Sequence, residues 1–232
     1  MTGGLARADL LLLAAHVLAR PDARLLALLA DAAADADALV HRAEVDTALA
    51  PALRELAAAA RRADPILWRS EHARLFDVPA TCPVSESAYI RRDKGALLGD
   101  VAGFYRAIGF TLGDGIGEKV DHVAAELEFV AMLLVLMARA EAEGHAEAKE
   151  VTRAALKAFA TDHLGAWAGA FCRRLGEVAG LDYYRRTAAF VGAVWDEVRR
   201  VEGLPEPLGD PTGPVPELGT PYECELAQAR RS

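Results

Sequence analysis

Asp121 and His122 stand side by side near the head of EKVDHVAAELEFVAMLLVLMARA, residues 118–140, with Glu126 one helical turn further on. Side chains of these types can bind a metal, pass protons or grip a cation. On a helix, His122 and Glu126 are four apart and share a face, while Asp121 projects about 100° away. An aspartate in the first turn gains about 0.3–1 kcal/mol from the helix dipole and the free N–H groups. The plain expectation is that Asp121 caps the helix and His122 pairs with Glu126. A di-metal bundle wants Glu-x-x-His, three apart, and Glu118 and His122 are four apart. HExxH is also missing, so a metal would need His163, Glu71 or His72 from other helices. The surroundings of an acid–base catalyst are missing too. There is no nucleophile elbow and no phosphate loop. Gly113, Gly115 and Gly117 lack the preceding strand of a nucleotide fingerprint. These readings point away from an enzyme and name no catalytic residue and no metal.

A second group lies in RLFDVPATCPVSESAYI, residues 74–90. Leu75 and Phe76 end an apolar-periodic stretch, and a loop with Pro79 and Pro83 leads on to Glu86, Ser87 and Tyr89. Prolines already restrict the unfolded chain, so such a loop is ordered at low entropic cost. Apolar residues beside it can line a peptide groove. Equally, Leu75 and Phe76 can be core, and Ser85 or Ser87 a helix cap. Tyr105, in FYRAIGF, suits a core position with its hydroxyl bonded.

Helices must position these groups. Apolar periodicity predicts them over 5–19, from Pro21 to about 40, and over 45–62. Asp64-Pro65 reads as an N-cap followed by a first-turn proline, opening PILWRSEHARLF, where Ile66, Trp68, His72, Leu75 and Phe76 can cluster. After the loop at 77–87, helix is expected over 86–92 and over 95–109, with Gly109 as its stop. TLGDGIG, 111–117, is a turn. The charged-to-apolar helix runs over about 119–143 and ends at Gly144. Further helices cover 145–163, a stretch with Trp167, Phe171 and Leu175 on one stripe, and another with Tyr184, Ala188, Val191 and Trp195. The Pro- and Gly-rich residues 203–232 read as an extended tail with a short helix at 222–231.

The whole is therefore an all-α, single-domain helical bundle of nine to eleven helices over 1–202, with a Pro-rich tail. Composition agrees: 53% of the residues are hydrophobic, mostly Ala and Leu, and only 6% are aromatic, which favours helix over strand. The net charge of −8 gives no pull toward nucleic acid and suits a cationic partner. Cys82, Cys172 and Cys224 form no CxxC, as expected of a reducing compartment. The ten uncharged residues 129–138 fall short of the roughly 20 that span a bilayer, so a buried helix and no stable membrane insertion are expected. Arg-Arg occurs six times but never ahead of an N-terminal apolar run, so the chain is not expected to be exported by that signal.

In order along the chain, several motifs resemble one family. Leu75-Phe76 closes a helix. After the proline loop come Glu86-Ser87-x-Tyr89, Tyr105-Arg106-x-x-Gly109 and Asp121-His122-x-x-x-Glu126-Leu127-Glu128-Phe129. Asp162-His163-Leu164-x-x-Trp167-x-x-x-Phe171 and a Tyr183-Tyr184 helix follow. This order, over about 65–198, resembles the TorD/DmsD/NarJ family of cytoplasmic chaperones for molybdenum-containing redox enzymes. The resemblance implies an all-helical fold and no catalysis. It implies a cytoplasmic protein that binds the twin-arginine signal peptide or N-terminal region of a molybdopterin-containing catalytic subunit until the cofactor is loaded. It implies no resident cofactor. Weak GTP binding, transient contact with the molybdopterin cofactor or its donor proteins, and a monomer or domain-swapped homodimer belong to the same set of expectations. The peptide site it implies comprises Leu75, Phe76, Pro83, Glu86, Ser87, Tyr89, Asp121 and His122, supported by Trp68, Tyr105 and Glu126. The chain departs from the family at Val120, where a proline often precedes Asp-His, and at His72, where an aromatic often precedes the leucine; Trp68 lies one turn earlier. Alternative readings are an assembly factor for a non-exported, membrane-bound enzyme of the nitrate-reductase kind and a GTP-hydrolysing helical protein.

Overall fold

The computed structural model describes residues 2–77, 79–112, 119–206, 211 and 214. Among them run ten α-helices and no strand: α1 (Thr2–His16), α2 (Ala23–Ala34), α3 (Ala36–Ala43), α4 (Leu49–Arg62), α5 (Pro65–Phe76), α6 (Lys94–Ala107), α7 (Val123–Ala142), α8 (Ala146–Asp162), α9 (Leu164–Val178) and α10 (Asp182–Glu202). This is the all-α bundle expected. Residues 113–117 of the turn expected at 111–117, nearly all of the tail and Cys224 lie outside the described residues.

α7 is buried on almost every side, as an all-round apolar helix must be. It packs against α1, α8 and α9, while α10 lies on α4, α9 and α1. Its apolar run leaves Met132 and Val135 exposed, so only part of Phe129–Met137 is core. None of the described helices is long and apolar enough to cross a membrane.

Local chemistry explains most boundaries. Asp64 accepts from the N–H groups of Ile66 and Leu67 at 2.9 Å, with Pro65 in the first turn. Gly109 and Gly144 follow α6 and α7 in the left-handed region, with φ of +70° and +73°. Three expectations fail. Pro21 opens nothing, because Asp22 caps α2 by accepting from Leu25 N–H at 2.8 Å. The long second helix breaks at Asp35 into α2 and α3. The helix expected over 86–92 shrinks to one 3-10 turn, Glu86–Ala88, and Asp93 caps α6 instead.

Candidate functional site

The site residues fall into two groups. The first lies where α5 meets α10. Trp68 stacks edge-on against Tyr183 at 4.6 Å between centroids, and Phe76 against His72 at 5.0 Å and Tyr184 at 5.7 Å. Trp68, His72 and Leu75 are buried and Phe76 is half-buried. Ile66 is 70% exposed and does not join this cluster.

The second group surrounds the lead-in to α7. Residues on either side of Ser85 and His122 pair like a two-residue scrap of sheet: Glu86 N–H donates to Asp121 O, and Val123 N–H to Val84 O, both at 2.8 Å. The Asp121 carboxylate accepts from Ser87 N–H at 3.1 Å. It therefore holds the 3-10 turn and does not cap its own helix. The cap is His122, whose Nδ1 accepts from Ala124 N–H at 3.1 Å. Nor does His122 pair with Glu126, because Glu126 turns inward and accepts from the Trp167 indole N–H at 3.0 Å. Tyr89 donates to Pro83 O at 3.0 Å and lies 5.3 Å from Trp167, and Tyr105 donates to Val120 O at 2.8 Å. Burial pushes both tyrosine hydroxyls well above their ordinary pKa.

Glu86, expected to face a ligand, is fully buried, as are Glu126 and His163. His163 Nδ1 meets the Glu86 carboxylate at 3.1 and 3.3 Å, while Nε2 lies 3.7 Å from Asp100, which Arg92 holds at 2.7 Å. Phe104 and Phe159 flank the imidazole at 5.5 and 5.0 Å. Leu75, Tyr89 and Asp121 are buried as well, and only Phe76, Pro83, Ser87 and His122 keep partly open surface. Two carboxylates, Glu86 and Asp100, thus face one imidazole. Desolvation first, and then the Glu86 charge, push the Glu126 carboxyl well above the ordinary carboxylate range.

His163 and Trp167 are site residues that the spacing argument missed. Spacing alone offers His163 as a metal ligand and Trp167 as one residue of an apolar stripe, although both belong to the motif at 162–171. No group of three or more metal-ligating side chains gathers among the described residues.

Burial first, and then the Lys119 charge, lower the His122 pKa to about 4. A neutral Nδ1 is what the cap requires. Because the folded value lies below the ordinary histidine value, the cap's contribution is full above that value and lost as pH falls through about 4. His122→Asn keeps a good N-cap that does not titrate. Its acid unfolding, followed by circular dichroism, is expected at lower pH than that of the parent protein.

A profile described as the nitrate reductase delta subunit matches residues 42–173, more than half of the chain and including every residue of the group around the lead-in to α7. No curated protein matches significantly.

Proposed function

Since the chain belongs to the nitrate reductase delta subunit family, the NarJ/TorD type of molybdoenzyme assembly chaperones, we propose that it binds the N-terminal, twin-arginine segment of a molybdoenzyme catalytic subunit in the cytoplasm and holds it until the cofactor is in place. The observation that carries this reading is the excess of buried acid at the α7 lead-in. Glu86, Asp121 and Glu126 are buried there, Glu86 against the His163 imidazole, while Phe76 of the α5–α10 group and Pro83 keep partly open surface. A twin-arginine segment offers the complement: guanidiniums, which pair bidentately with carboxylates, followed by an apolar stretch. The chaperone takes part in no bond-making; its work is to hold and to release.

The description "delta subunit" favours a second reading, in which the client is not exported and offers an N-terminal arm without twin arginines. Calorimetry with two peptides separates the two. One carries the twin-arginine segment of a molybdoenzyme catalytic subunit, and the other has both arginines replaced by glutamine. Binding of the first alone, with a micromolar constant of about −8 kcal/mol, is expected. Equal binding of both favours the second reading. Silence toward both peptides and toward the intact apo-subunit rejects the proposal. Phe76→Ser, on the open rim, is expected to weaken binding about tenfold.

A further inference from the structure

Glu126, His163 and Trp167 touch no open surface, yet they hold the floor beneath the proposed peptide site. Leu75, Glu86, Tyr89 and Asp121 are each no more than 2% exposed, so a peptide reaches them only after the turn Glu86–Ala88 has moved. That turn is fastened to Asp121 through the Glu86 and Ser87 N–H groups, at 2.8 and 3.1 Å, and to His163 through the Glu86 carboxylate at 3.1 Å. Lifting it breaks these contacts, takes the Glu86 charge from beside Glu126 and admits water to the Glu126 carboxyl.

The geometry points to a proton-linked latch: peptide entry lifts the Glu86 turn from His163 and Glu126, and Glu126 then loses its proton to the solvent. This inference rests on the peptide reading above. In the step, the carboxyl O–H of Glu126 breaks, its proton passes to water or buffer, and the carboxylate left behind is free to pair with an incoming guanidinium. In the closed state only Oε2 of Glu126 is bonded, by Trp167, and Oε1 has no hydrogen-bond partner among the described residues, so the hydroxyl there meets no acceptor until the turn lifts and water enters.

The groups around Glu126 come from each element packed there. Glu86 of the turn and Asp121 of the lead-in bear on it by charge, and Trp167 of α9 donates to it. Tyr105 of α6 feels Glu126, Glu86, Asp121 and Glu128. His163, at the junction of α8 and α9, reaches the cluster through Glu86, with Asp100 and Arg92 behind it. From α1, His16 bears on Glu128 instead.

The sign follows. The closed state holds the proton and the bound state does not, so affinity rises with pH between the ordinary carboxylate range and the raised value of Glu126. One proton gives a slope of up to about tenfold per pH unit. The test is calorimetry of the full chain with the twin-arginine peptide in phosphate and in Tris at the same neutral pH, buffers whose ionisation enthalpies differ widely. The measured heats are expected to differ by the equivalent of about one released proton. Glu126→Gln mimics the protonated acid and can still accept from Trp167. It is expected to bind with equal heats in both buffers and without the pH slope. In the parent protein, the infrared C=O stretch of a protonated carboxyl is expected to vanish on peptide addition, a readout that needs no variant. Binding with coincident heats overturns the latch and leaves the peptide reading standing. A buffer difference retained in Glu126→Gln also overturns it. Absence of binding in every buffer overturns both.

Discussion

Replacing Glu86 by alanine is expected to destabilise the fold by about 3 kcal/mol, the upper end of the cost of leaving a buried polar group without its hydrogen-bond partner. The imidazole of His163 is fully buried and its Nδ1 is bonded to Glu86. Its Nε2 has no hydrogen-bond partner among the described residues, so the substitution leaves the ring without one. The 3-10 turn loses its inward anchor at the same stroke. Relief of the repulsion by which Glu86 raises the Glu126 carboxyl offsets part of this loss. Glu126→Gln is expected to stay within about 1 kcal/mol of the parent protein at neutral pH. The two also part in their pH dependence. Because the folded-state pKa of Glu126 is raised by burial and by Glu86, its contribution is full below the ordinary carboxylate value and is lost as pH rises through the raised one. Urea unfolding of the parent protein should therefore weaken as pH climbs through that window, and the Gln variant should lack this component. A Glu86→Ala chain as stable as the parent would show that the buried trio contributes nothing to the fold.

Gly165→Ala is expected to be at least as damaging, at about 4 kcal/mol, the upper end of single-substitution effects. α8 ends at Asp162 and α9 begins at Leu164, with His163 alone between them at φ −126° and ψ −106°. This tight corner places a Cβ at Gly165 only 2.0 Å from the carbonyl oxygen of Ala160. That atom is backbone, so it yields only if the last turn of α8 opens, and His163 would move with it. Gly176→Ala on the same helix is the control. Its Cβ meets nothing closer than the Ala188 Cβ at 3.8 Å, so the gain in helix propensity, about 0.5–1 kcal/mol, should appear as a stabilisation. Thermal unfolding of both variants, together with the indole N–H resonance of Trp167, tests the contrast. If both variants melt alike, the corner is not strained in the way the backbone contact implies.

The features legible in the amino-acid order are those decided within a turn or two of chain. The wealth of Ala and Leu and the helical spacing of apolar residues made the all-α class plain. Asp64-Pro65 announced the start of α5, and Gly109 and Gly144 announced the ends of α6 and α7, because caps and stops depend on residues only a few positions away. The stripes Trp167–Leu175 and Tyr184–Trp195 are legible by period alone, and in the fold they are buried. The ordered motifs from Leu75 to Phe171 carried the family. Where a competing cap stood nearby, the local reading failed, as at Pro21, where Asp22 takes the role.

What only the tertiary structure decided is which polar side chain meets which. The spacing within α7 assigned the cap to Asp121 and a partner to His122; in the fold His122 caps, and Asp121 fastens a turn that lies 34 positions earlier. Glu86 looked like a surface acid, yet it finds His163 across 77 positions, and Glu126 finds Trp167 across 41. Helical period says which residues share a face, but it carries no information about what that face will be packed against. For a carboxylate that difference is decisive. Facing water, Glu86 would be a rim group; turned into a dry junction of α7 and α9, it needs a partner there and raises the pKa of its neighbour. Burial and pairing between distant segments, both products of packing, set the chemistry of these acids.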